Sequence, residues 1–141
     1  MYIKLIEGQP EVYSIGQLKQ DNPNTSFPDK PSDELLAEWG VYPYTLLEPP
    51  TYDRLTQTIV RTAITEVNGA WVQSWTVSNL SAEEASSNVR NRRDALLAKT
   101  DWMALSDVVM EPYWREYRQQ LRDLTDQAGF PFSVVWPTEP E

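Results

Sequence analysis

The tetrapeptide Val67-Asn68-Gly69-Ala70 constrains this chain more than any other feature. A two-residue Asn-Gly connection matches the twist of paired strands, and both of its central positions tolerate positive φ. It predicts a long β-hairpin over about residues 57–78. Pairing outward from the turn sets Glu66 opposite Trp71, Ile64 opposite Gln73, Thr62 opposite Trp75 and Val60 opposite Val77. One face then carries Val60, Ile64, Trp71, Trp75 and Val77 and is expected to be buried. The other carries Arg61, Ala63, Thr65, Val72, Ser74 and Thr76 and is expected to meet solvent or a partner.

The residues before that hairpin alternate apolar and polar side chains around Gly8-Gln9-Pro10, which predicts a small hairpin of Tyr2–Glu7 with Glu11–Ile15. Pro23, Pro28 and Pro31 make 21–31 a loop, because each removes a backbone donor and drives its predecessor out of the helical region. Ser32 can cap a short helix over Asp33–Trp39, with Gly40 as its stop. Tyr42-Pro43-Tyr44 and Pro49-Pro50 return the chain to extended form.

Beyond residue 80 the pattern changes from strand to helix. Ser81-Ala-Glu-Glu84 is a capping box, and the helix it opens is expected to run from about Ala82 to Lys99. Thr100-Asp101 interrupts it, and Trp102, Leu105, Val108, Val109 and Met110 are expected to form a compact apolar connector. Pro112 suits the first turn of a last helix over about Glu111–Gln127, whose Trp114, Tyr117, Leu121 and Leu124 recur at helical spacing. Gly129 is expected to close that helix, Phe130–Pro137 to continue in extended form, and the acidic, proline-containing end to be disordered in isolation. The fold class predicted is α+β: a small strand-rich N-terminal part with a long β-hairpin, then a C-terminal helical hairpin and a terminal extended segment. The domain boundary is expected at residue 80, giving 1–80 and 81–141.

Composition closes much of enzymology. With no Cys and no His, the chain has no disulfides, no Cys/His zinc site, no thiol nucleophile and no imidazole base. Carboxylates remain, and a glycosidase-like pair is conceivable among Glu83, Glu84, Asp94, Asp101, Asp107, Glu111, Asp123 and Asp126. Each of these, however, suits a helix N-terminus, a cap or a charge balance with Arg. The five glycines never cluster into a phosphate loop, and no Asp-x-Asp-x-Asp-Gly calcium loop occurs. The expectation is a protein that is not an enzyme, with no catalytic residues, no cofactor and no metal. Twelve Lys and Arg stand against 21 Asp and Glu, a formal charge of −9 that argues against nucleic acid and anionic membrane as partners. No signal peptide and no run of about 18 apolar residues is visible, so the expected location is the cytoplasm where the protein is made.

Binding residues are sought instead among aromatic and arginine side chains, the types enriched at interface hot spots. Trp114, Tyr117, Arg118, Leu121 and Arg122 on the last helix, with Phe130 and Trp136 after it, are the candidate partner-binding set. Trp114 and Leu121 are at a spacing more usually used for core, which shifts the contact role toward Tyr117, Arg118 and Arg122, and Trp136 could equally fold back on the helix or face another chain.

The order of blocks from residue 90 onward resembles a known family. Arg90, Arg93-Asp94 with Leu96-Leu97, then Thr100-Asp101-Trp102, then Trp114-Arg-Glu-Tyr117-Arg118-Gln-Gln-Leu121-Arg122-Asp123, then Gly129-Phe130-Pro131 and Trp136-Pro137 are similar to the phage tail assembly chaperone proteins encoded beside tail-fibre genes. Tyr13–Gly16, Asp21–Pro28, Leu36–Pro43 and the Trp71–Trp75 strand resemble the amino-terminal segment of related phage proteins. The resemblance implies a tail-fibre assembly chaperone, or alternatively a permanent fibre or baseplate-adaptor subunit of the virion tail. It implies a phage tail-fibre or baseplate protein as partner, self-association as a further option, and residence in the host cytoplasm during assembly or in the virion tail. It carries over no catalytic residue.

Overall fold

The computed structural model describes residues 1–141, and the chain divides into two compact units. The first contains Met1–Pro50 and Ile59–Thr76, the second Thr51–Thr58 and Val77–Glu141. The architecture is α+β, with a five-stranded sheet toward the amino end and helices toward the carboxyl end.

In the first unit β1 (Tyr2–Ile6) and β2 (Gln9–Tyr13) form the small hairpin, but its turn lies at Glu7-Gly8, both at positive φ. Pro10 is therefore a strand residue opposite Leu5. β2 is an edge strand, where a missing N–H costs nothing to a neighbour. Directly after it comes an unpredicted helix, α1 (Ile15–Asp21), capped by Ser14, whose Oγ accepts from Gln17 N at 3.0 Å. α2 (Asp33–Glu38) begins at the expected Ser32 cap and ends with Gly40 at φ 71°. β3 (Val41–Leu46) runs antiparallel to β1 and parallel to β5 (Ala70–Asn79), and β4 (Gln57–Val67) closes the order β2-β1-β3-β5-β4.

Each sheet face has its own cluster. Tyr13 and Val41 meet Leu18 of α1 and Leu36 of α2, with Tyr2, Phe27 and Trp39 packed around them. Ile3, Tyr44 and Ile64 form the second cluster, flanked by Tyr42 and Trp71. Full burial of such a side chain contributes roughly 1.5–3 kcal/mol. Tyr13 also donates its hydroxyl to the Asp21 carboxylate. Burial first, then that bond and the carboxylate's charge, push its pKa up to about 12.

The predicted hairpin is present, with Asn68 at φ 52° and Gly69 at φ 79°, but half of its facing is corrected. At its base Leu80 N donates to Thr56 O, so between that bond and the turn β4 is one residue longer than β5. The surplus is absorbed at Thr62. Its Oγ1 accepts from Ser74 N at 3.1 Å, while its carbonyl takes the Gln73 side chain at 2.9 Å. A β-bulge of this kind turns all residues beyond it to the other face. Val60, expected inside, is accordingly 58% exposed, and Arg61, expected on the opposite face, stacks over the Trp75 ring at 5.3 Å. Val77 is exposed as well.

In the second unit, Asp53 organises the turn before β4 by accepting from Leu55 N and Thr56 Oγ1, and Asn88 Nδ2 donates to Leu55 O. α3 (Ala82–Lys99) starts with the predicted capping box, both reciprocal bonds of Ser81 and Glu84 being made. A 3-10 turn over Asp101–Ala104 follows. α4 (Pro112–Arg122) has Pro112 in its first turn as expected, but it stops five residues before Gln127 and gives way to a 3-10 turn over Asp123–Asp126. Asp123, Thr125 and Asp126 are poor helix formers whose short polar side chains compete for backbone groups. The tighter turn still buries Leu124. No helix is long and apolar enough to cross a membrane.

Candidate partner-binding region

α4 is amphipathic because its apolar residues follow steps of three and four, and the inner side of that stripe is closed. Tyr117 is 4% exposed, Arg118 6% and Leu121 0%, so these three candidate contact residues point inward. Arg122 is exposed, and Trp114, Phe130 and Trp136 are half-buried. Trp114 stands edge-on to Tyr117 with centroids 5.8 Å apart, at the mouth of the buried stripe.

Arg118 is the hub of the unit. Its Nη1 donates to Leu97 O at 2.9 Å and Thr100 Oγ1 at 2.6 Å, and its Nη2 to Asp101 Oδ1 at 2.9 Å. It thus adds a charged donor to Leu97 O, a carbonyl in the last turn of α3 that also accepts from Thr100 N and Thr100 Oγ1, at a helix end where the dipole favours a cation. It also fixes the Thr100-Asp101 interruption at which α3 ends. The planar guanidinium supplies these diverging donors from one group, which a lysine does not. The spacing of Thr100-Asp101 and Arg118 in the sequence is thereby a structural constraint.

α3 contributes two more arginines by stacking. Arg90 lies over the Phe130 ring at 5.2 Å and Arg92 over Trp136 at 5.3 Å. These contacts place the segment after α4. Phe130–Pro137 makes no strand, contrary to expectation. Ala128–Phe132 is a turn containing a cis Phe130–Pro131 bond, and residues 134–141 have no regular structure. Gly129 does not stop α4 either. It is required because a Cβ there would lie 1.9 Å from Ser133 O, the carbonyl that closes over this turn. Downstream, the Gln127 side chain donates to Val135 O at 2.9 Å and accepts from Val135 N at 2.7 Å.

The acidic end is tied rather than loose. Lys99 Nζ reaches Glu139 Oε1 at 2.7 Å, and this bond, followed by the carboxylate's charge, raises the lysine pKa. Burial chiefly raises the Tyr117 pKa, the Glu139 charge adds to it, and Lys99 and Arg92 oppose it.

The connector between α3 and α4 departs most from expectation. Trp102 is 56% exposed, Leu105 58% and Val109 88%, while Val108 and Met110 are half-buried, so three of the five residues expected to pack compactly face water. Tyr113, at the start of α4, is also exposed. Sequence reasoning assigned these residues to packing because apolar composition was the only signal. The missing cue is the chain's brevity here: a single 3-10 turn offers too few positions to fold an apolar face against anything. No three acidic side chains gather into a group that could hold a metal ion.

Residues 86–141 match the family model described as phage tail assembly chaperone protein. No curated protein and no solved structure matches the chain.

Proposed function

We propose that the protein is a bacteriophage tail-fibre assembly chaperone, acting by binding and not by catalysis, a reading supported by the match of residues 86–141 to the phage tail assembly chaperone family model. The observation that carries this reading is the exposed apolar run of Trp102, Leu105, Val109 and Tyr113. Large apolar side chains held in water within one short stretch mark an interaction surface. Fibre chains expose unpaired strand edges before they assemble, and covering those edges prevents aggregation. A formal charge of −9 keeps the covered complex soluble. Trp114, Arg122, Phe130 and Trp136 extend the contact surface, while Tyr117, Arg118 and Leu121 hold it in place from within.

Co-expression with the tail-fibre polypeptide tests the reading. The wild-type protein raises the soluble yield of fibre, and Trp102→Ser combined with Val109→Ser abolishes the gain while leaving the helical circular-dichroism signal unchanged. Equal fibre yield with and without the protein sinks the proposal. A second reading, a permanent subunit of the virion tail at the fibre or baseplate, draws support from the tied carboxyl end, where Gln127 and Lys99 hold Val135 and Glu139 in place. Mass spectrometry of purified virions separates the two: a fixed stoichiometry indicates the structural role, absence the chaperone.

A further inference from the structure

Four aromatic rings in this chain carry a cation of the chain itself: Lys4 over Tyr13, Arg61 over Trp75, Arg90 over Phe130 and Arg92 over Trp136. Tyr42 and Trp71 are different. They form a tilted pair with centroids 6.5 Å apart, half-buried beside Ile3, Tyr44 and Ile64, with no cation over either ring. Both line a cleft of about 450 Å³ in the first unit, together with Leu5, Thr45 and Glu66.

Glu66 stands across the hairpin from Trp71, on the turn side of the Thr62 bulge, where the register set by Asn68-Gly69 is undisturbed. It has no salt-bridge partner within the chain, and no Lys or Arg lines the cleft. The cleft therefore offers an aromatic platform and an unpaired carboxylate on one wall, and lacks the positive group that complements both.

We propose that this cleft is a docking site for an arginine side chain of a partner polypeptide, the guanidinium lying over Trp71 and Tyr42 and pairing with Glu66. A guanidinium stacks on aromatic faces and bonds a carboxylate with the same planar group, and the chain already uses this stacking at Trp75 and Trp136. The volume accommodates one such side chain with the residues that flank it. The cleft lies outside residues 86–141 and its chemistry is independent of the chaperone reading, so failure of either leaves the other standing.

The test is an NMR titration of the full chain, following the indole N–H resonance of Trp71, assigned by its disappearance in Trp71→Phe. The probe is a blocked pentapeptide with a central arginine, and its control the same peptide with neutral citrulline. The arginine peptide is expected to shift the Trp71 resonance saturably, and the citrulline peptide to bind roughly fivefold more weakly or not at all, the loss of one charge-assisted contact. Glu66→Gln, an exposed position beside the turn, should weaken the arginine peptide by a similar factor and leave the amide spectrum otherwise dispersed as in the wild type. The proposal is overturned by an unmoved Trp71 resonance, by equal binding of the two peptides, or by full affinity in a folded Glu66→Gln protein. It is overturned equally if a neutral oligosaccharide shifts that resonance and the arginine peptide does not.

Discussion

In the first unit the residues withdrawn completely from water are aliphatic, Ile3, Leu18, Leu36 and Val41, whereas in the second Val89, Leu121 and Leu124 share the interior with the guanidinium of Arg118 and the hydroxyl of Thr100. The difference follows from the elements each unit has to join. A sheet satisfies its own backbone, so helices α1 and α2 need only bring leucines to it. α3 ends against a chain reversal, and its last carbonyls need donors that no strand supplies. An apolar cluster relaxes only partly around a lost volume and keeps a cavity, whereas a polar hub that loses a donor leaves a buried acceptor one bond short while its other bonds persist.

The largest effect is expected where the fully buried side chains are all aliphatic. Leu36→Ala should destabilise the first unit by about 3 kcal/mol, read from urea unfolding, with hydrogen exchange accelerating in β1–β3. If exchange rises equally in α3 and α4, the units do not unfold separately and the contrast between them fails. Arg118→Met should cost the second unit about 2 kcal/mol, since the buried Thr100 Oγ1 and the Asp101 carboxylate lose their donor, Leu97 O keeping the bonds from Thr100 N and Oγ1, while the methionine retains most of the packing. The informative companion is Arg118→Lys. It keeps the charge but not the fork, and should recover little of the loss; full recovery would show that charge near the helix end, and not the diverging donors, holds the unit.

A smaller and local effect is expected at the α3 cap. Ser81→Ala removes the acceptor for Glu84 N and frees the glutamate that reaches back, at a cost of about 1 kcal/mol. Exchange in the first turn of α3 should rise before any other site in the unit. A destabilisation as large as that of Arg118→Met would mean that the cap, and not the arginine, organises the helical unit.

These residues also show what could be read in advance. The capping box, the Asn68-Gly69 turn, the Ser32 cap and Pro112 at the head of α4 rest on local chemistry within a few residues, and each stands where the sequence puts it. The reading from Arg90 onward as a phage tail assembly chaperone segment is matched over 86–141. α1 was hidden because its seven residues, Ile-Gly-Gln-Leu-Lys-Gln-Asp, contain a glycine and too few apolar positions to display a period. The Ser14 cap and Pro23 beyond its end were the available signs. The bulge at Thr62 was invisible for another reason: alternation sets the face only while the register is kept, and the register depends on the bond between Thr56 and Leu80 at the far end of the hairpin. Arg118 is expected at a contact surface because arginine is enriched in interface hot spots. Its burial depends on three acceptors 17 to 21 residues away in sequence, which no helical period reports.

The smallest expected effect concerns the carboxyl end and its one direct ionic tie. Both Lys99 and Glu139 face solvent, so their bond contributes little to global stability, and Glu139→Gln should leave the unfolding midpoint unchanged. What it should change is local order after Trp136, visible as a rise in backbone mobility by NMR relaxation over Pro137–Glu141. The lysine pKa is raised by the bond, so the ion pair is fully present below the ordinary lysine value and is lost as pH rises through the elevated one. Added salt should loosen the end at neutral pH in the same way, because exposed charges are screened. If the end stays ordered in Glu139→Gln and in high salt, the tie resides in the paired bonds from Gln127 to Val135 and in Arg92 over Trp136. The carboxyl end would then be held by an amide side chain pairing with backbone and by an arginine stacked on an indole, contacts that neither salt nor loss of the Glu139 charge removes.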